Sequence, residues 1–162
     1  MATVTPMRIG SEPVTTDEVS PVLSPYDGRQ VGLVPVASSA HLDAAVEQAR
    51  ARHLEGPLPA WQRAEILDRA AQLLAERRED IARLIAAEAA KPLRTARIEA
   101  ERAVDTFRFS AAVARSLGGE VVPLDASAAG VGKLGFVLRV PVGVVAAISP
   151  FNFPLNLVAH KL

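Results

Sequence analysis

Residues 93–117 carry the longest helical pattern in the chain and constrain its fold more than any other segment. Ala96, Ala100, Ala103, Val104, Phe107, Ala111 and Ala114 recur at helical spacing and define one apolar stripe. Ile98 and Phe109 mark a second, partly apolar face, with Arg102 and Thr106 between them. A helix apolar on two faces packs between other elements rather than lying on a surface. Gly118-Gly119 then read as a C′ stop, where glycine relieves the left-handed cap.

The segments around this helix fall into three styles. Residues 1–36 read as extended, because Pro13, Pro21, Pro25 and Pro35 forbid a helix through them. Val19-Ser-Pro-Val-Leu-Ser24 and Arg29-Gln-Val-Gly-Leu-Val34 are strand candidates, and Pro25-Tyr-Asp-Gly28 between them predicts a hairpin turn. Ser38 or Ser39 can cap a helix running to about Arg52, with Leu42, Ala45, Val46 and Ala49 on one face. A second helix is predicted from near Ala60, with Trp61, Ala64, Leu67, Ala71 and Leu74 as its buried stripe. A third, through Ile81, Leu84, Ile85 and Glu88, runs to Lys91-Pro92. The charged residues of 60–102 read as solvated helix faces. Beyond residue 119 the pattern becomes strand-like. Glu120-Val-Val-Pro-Leu124 and Phe136-Val-Leu-Arg-Val140 flank a small-residue loop at 126–132. The apolar run 144–148 does not alternate, so it reads as a buried parallel strand.

Composition excludes several classes. Net charge is zero, aromatics are few and no basic cluster occurs, which argues against nucleic acid and acidic membrane. The start, Met1-Ala-Thr-Val-Thr-Pro6, has neither a basic nor an apolar leader region, so no signal peptide is expected. The apolar stretch before Pro150 is too short to span a bilayer, and the default location is cytoplasmic. There is no cysteine, which removes disulfides and thiolate chemistry from this chain. His41, His53 and His160 show no metal-ligand spacing, so no metal is expected.

Four features could carry chemistry. Gly130-Val-Gly-Lys-Leu-Gly135 matches the dinucleotide fingerprint by letter, but a strand pattern follows where that fingerprint needs a helix, so it reads as a glycine-rich hairpin turn. Asn152 lies between Pro150 and Pro154. It is either a turn-forming residue or, at the carboxyl end of a parallel strand, a donor for a developing oxyanion. His160 and Lys161 follow at helical spacing, and Lys161 could point toward that loop or away. Arg102 is either a snorkelling or ion-paired arginine or a fork for an anionic substrate group.

At Pro150-Phe-Asn-Phe-Pro154 the chain resembles the N-terminal part of the NAD(P)-dependent aldehyde dehydrogenases. Ser24-Pro-Tyr-Asp-Gly28, Arg63-Ala-Glu-Ile-Leu67, Glu88-Ala-Ala-Lys-Pro92, Phe107-Arg-Phe109, Gly119-Glu-Val-Val-Pro123 and Arg139-Val-Pro-Val-Gly-Val-Val145 occur in the same order as in that family. Family members usually have Glu-x-Gly-Lys where this chain has Glu88-Ala-Ala-Lys91. The wording Phe151-Asn-Phe-Pro-Leu-Asn-Leu-Val-Ala-His-Lys161 is most similar to the branch holding lactaldehyde and non-phosphorylating glyceraldehyde-3-phosphate dehydrogenases.

The resemblance implies oxidation of an aldehyde to a carboxylic acid through a cysteine thiohemiacetal, with hydride passing to NAD or NADP. It implies that Asn152 is the oxyanion-hole residue and that Ile148, Ser149, Pro150 and Phe151 line the cofactor. Lys161 matches a lysine given a structural or proton-relay role. Phe153, His160 and Arg102 match substrate positions, and an arginine near Arg102 accompanies phosphorylated or carboxylated aldehydes. The implied fold class is α/β. Residues 1–121, a hairpin and four helices, would begin a coenzyme-binding domain. Residues 122–141 would form a subunit-joining β excursion, and residues 142–162 the first strand and helix start of a Rossmann-like sheet, truncated. The family's cysteine nucleophile and glutamate base would lie beyond Leu162, leaving this stretch inactive by itself, and the intact protein is expected to be a homo-oligomer. The alternatives are a non-catalytic assembly or binding module of the same fold and a bare nucleotide-binding domain.

Overall fold

The computed structural model describes residues 4–162. The described residues form three separate two-stranded antiparallel sheets and a set of helices that carry the core. Strands β1 (Met7–Ile9) and β2 (Glu12–Val14) pair across a turn at Gly10, whose φ is +60°. The sequence reading had only extended chain there. Strands β3 (Val19–Leu23) and β4 (Gln30–Pro35) form the expected hairpin. Its turn closes through hydrogen bonds from Ser24 N–H to Arg29 O and from Gly28 N–H to Ser24 O, with Gly28 at φ +72°.

Helices α1 (Ser39–Leu54), α2 (Ala60–Glu76), α3 (Arg78–Ala89) and α4 (Leu93–Ser116) follow where the periodicity placed them. Ser38 caps α1, and its N–H donates to His41 Nδ1 at 3.1 Å. The whole expected stripe of α4 is buried, packed against Ala64 and Ala71 of α2 and against Ala82 and Ile85 of α3. Alanine dominates these contacts, so the helix axes can approach closely.

Four expectations fail at the edges of this core. Trp61 is exposed rather than buried, and Leu42 and Val46 leave the apolar face of α1 in solvent. Ile98 and Phe109, the second face of α4, are also exposed. These side chains are patterned for burial, but no described residue covers them. Gly118 and Gly119 do not cap α4 in the left-handed region, since neither has positive φ. Gly119 serves close approach instead: a Cβ there would sit 1.6 Å from Val137 O.

Strands β5 (Glu120–Val122) and β6 (Gly135–Val137) pair as expected around two short 3-10 turns, Leu124–Ala126 and Ala128–Gly130. The glycine-rich stretch is a hairpin connection and opens no helix. Gly130 packs so tightly that a Cβ would lie 1.7 Å from Leu124 O. Residues 144–148 form no strand, contrary to the sequence reading. A parallel strand exists only by pairing, and no described strand lies beside this run to accept its backbone groups. The chain then turns into the short helix α5 (Asn156–Ala159), whose Ala159 packs on the core of α2 and α4.

Candidate functional site

The segment carrying the predicted residues is held by a carboxylate that the sequence reading took for a solvated one. Glu99 sits on the buried stripe of α4 and is 1% exposed. Its Oε1 accepts the N–H groups of Leu155 at 3.0 Å and Asn156 at 3.3 Å, just where α5 begins. Its Oε2 pairs with the ammonium of Lys91, which follows α3. A buried carboxylate costs little only when paired and fully hydrogen-bonded. Here an ammonium and two backbone donors meet both conditions. The same ammonium lies 3.8 Å from the centroid of the Phe153 ring, a cation–π contact.

The loop before α5 is therefore tied at both ends. Ser149 Oγ donates to Leu157 O at 3.3 Å, and Leu157 N–H donates to Phe153 O at 3.1 Å. Asn152 sits between these ties, exposed in a turn, and its side chain hydrogen-bonds no described residue. Ile148, Pro150 and Phe151 are exposed beside it, Phe151 at 92%. Phe153 is half-buried. Arg102 is exposed one face away on α4, its guanidinium 6.0 Å from the Phe153 ring centroid. No described carboxylate forms an ion pair with Arg102, so the ion-pair reading of it is not realised.

A second polar chain runs from α4 to α5. Thr106 Oγ1 lies 3.0 Å from Arg102 O and 2.9 Å from Asn156 Oδ1, and it can donate to one of them. Asn156 is buried, and its Nδ2 lies 3.4 Å from His160 Nε2. His160 in turn borders a mostly apolar groove of about 620 Å³ between α2 and α4, lined also by Leu67, Phe109, Val113 and Leu117. Lys161 is exposed and lies beyond α5.

Arg102 and Phe153 thus approach each other, Asn152 precedes Phe153 in the loop, and His160 follows α5 at the groove, with Lys161 next in the chain. Sequence reasoning missed Lys91, Glu99, Thr106 and Asn156. One signal was available for Glu99: it stands in register with Ala96, Ala103 and Phe107 on the stripe. Ile148, Pro150 and Phe151 are exposed and Ser149 is half-buried in the stretch that the resemblance assigns to the cofactor.

Comparison with known proteins bears on this arrangement. Residues 13–162 match the profile described as Aldehyde dehydrogenase family. The chain is 39% identical over 156 residues to 3-sulfolactaldehyde dehydrogenase of Priestia aryabhattai, covering 96% of this chain and 32% of that protein. It superposes on the crystal structure of aldehyde dehydrogenase 21 from Physcomitrella patens, in complex with the reaction product succinate, with a TM-score of 0.92 and 35% identity over 99% of this chain and 34% of the other. The NADP-dependent glyceraldehyde-3-phosphate dehydrogenase from Bacillus halodurans C-125, complexed with NADP, gives a TM-score of 0.87 and 36% identity over 98% of this chain and 34% of the other. With the matching fold, these matches establish that the chain belongs to the aldehyde dehydrogenase family. It spans about a third of the length of the relatives it matches, and lactaldehyde and glyceraldehyde-3-phosphate dehydrogenases are among them.

Proposed function

We propose that this chain is the N-terminal part of an NAD(P)-dependent aldehyde dehydrogenase that oxidises an aldehyde, an anionic one included, to the carboxylic acid. Residues 142–162 would begin its Rossmann-like sheet, with the run 144–148 pairing once neighbouring strands are present. The bound dinucleotide would supply the hydride acceptor. The observation that carries the reading is the exposed Asn152 amide at the tip of a loop tied at both ends. An amide N–H₂ held in place can donate to an oxyanion as it forms without reorganising first. On this reading Phe153 and His160 would border the substrate, and Ile148, Ser149, Pro150 and Phe151 the cofactor.

The chain has no cysteine, so a cysteine nucleophile would have to come from sequence outside these residues, and on this reading the glutamate base would lie there too. Reading the gene past codon 162 is the direct test, and a frame without a cysteine and glutamate motif would refute the catalytic reading. In the full-length protein, Asn152→Ala should lower kcat by about 10²–10³ and change KM little. An unchanged kcat under chemistry-limited conditions would remove the oxyanion role. Arg102 is exposed and without a carboxylate partner, which supports recognition of an anionic aldehyde. Arg102→Met should raise KM for an anionic aldehyde more than for a neutral one, and equal effects would refute this.

A second reading is a non-catalytic assembly module. It is favoured by the apolar surface of the β5–β6 region, where Val121, Phe136 and Leu138 are exposed. A natural stop after residue 162, with stable oligomers of the chain, would select it.

A further inference from the structure

We infer that Lys91 and Glu99 are a positioning pair that sets where Asn152 stands, an inference that rests on the oxyanion reading of Asn152. The carboxylate lies on α4, the longest helix of the fold, whose stripe is buried throughout. Its two backbone contacts, at Leu155 and Asn156, fix the chain three and four residues after Asn152. Lys91 acts twice: it neutralises Glu99 and lays its ammonium on the Phe153 ring, the side chain next to Asn152. The loop is thus referenced to a helix–helix corner rather than to its own turn chemistry. The carboxylate needs both partners. Without Lys91 it is a buried charge, and without Glu99 two N–H groups at the start of α5 lose their acceptor.

A buried ion pair is not needed for stability, because apolar residues of similar volume can replace one with little loss. That separates positioning from folding. In the 162-residue chain, Lys91→Met/Glu99→Met should keep a cooperative thermal transition, with a lower midpoint, while amide exchange at Leu155 and Asn156 speeds up by about 10- to 100-fold. Amides of Ala103 and Phe107 should be unaffected. Glu99→Gln, which keeps a side-chain oxygen for the two N–H groups, should retain most of the protection. In the full-length enzyme the double variant should lower kcat about 10-fold or more, a larger change than any in KM for the dinucleotide. Unchanged protection at Leu155 and Asn156 in the double variant would overturn the anchoring. If the double variant does not fold, the pair is structural and the positioning role falls. Lost protection with unchanged kcat would overturn the positioning role, provided Asn152→Ala lowers kcat. If Asn152→Ala also leaves kcat unchanged, the oxyanion reading has failed, the inference built on it falls too, and only the anchoring shown by exchange remains.

Discussion

Ala90 is the one described non-glycine residue with positive φ, at +50° with ψ 29°. It forms the left-handed cap of α3, immediately before Lys91, and it occupies the glycine position of the motif that the family usually writes Glu-x-Gly-Lys. A Cβ in that conformation costs about 1–2 kcal/mol, which a glycine avoids at the expense of some unfolded-chain entropy. Ala90→Gly is therefore expected to stabilise the chain by roughly 1 kcal/mol, read as a higher urea midpoint. A lower midpoint would mean that the strain is relieved elsewhere. At this scale the sequence was legible where residue type alone decides conformation, as at Pro25 and Gly28. It was not legible at Glu99, because its charge argues for solvent, and the donors that make burial tolerable come from a segment more than fifty residues away.

Between elements, α3 and α4 are joined by Glu79. Arg97 on α4 donates to both of its carboxylate oxygens at 2.8 Å, and Arg83 on α3 reaches one of them at 2.9 Å. Hydrogen bonding from Arg97, then the charges of Arg97 and Arg83, pull the Glu79 carboxyl from its ordinary 4.5 down to about 2. A carboxyl lowered in the folded state contributes stability above its unfolded value and loses it as pH falls through the folded one. The contribution of Glu79 is thus complete at neutral pH and disappears between about 4.5 and about 2. Denaturant midpoints of Glu79→Gln measured across that window should fall less steeply than those of the unmodified chain, and parallel curves would show the bridge to be inert. The helices and two hairpins were readable because their signals are local: proline and glycine turns, and apolar spacing. The run 144–148 carried the composition of a strand, but a strand is a property of a pair, and the partner is absent from the described residues.

Considered whole, the molecule has a covered centre and uncovered flanks. The buried face of α4 holds α2, α3 and α5 together, while Ile98, Phe109, Leu42, the β5–β6 region and residues 142–148 keep apolar side chains in water. The family match gave the overall architecture, but single-chain periodicity could not say which apolar faces would find cover. Exposed apolar surface of this kind promotes association. Sedimentation of the isolated chain should show self-association that grows with concentration, and a monomer at all concentrations would contradict this. Among the described residues no helix is long and apolar enough to cross a membrane. The Glu99 seat also imposes a schedule on synthesis. Leu155 and Asn156 follow Glu99 by 56 and 57 residues, whereas Lys91 precedes it by 8. At typical ribosomal speeds that separation takes about 3 to 11 seconds to emerge. Through that interval the carboxylate has its lysine beside it but not the amides it will hold, so the loop bearing Asn152 can take its seat only after the helix that holds it has been made.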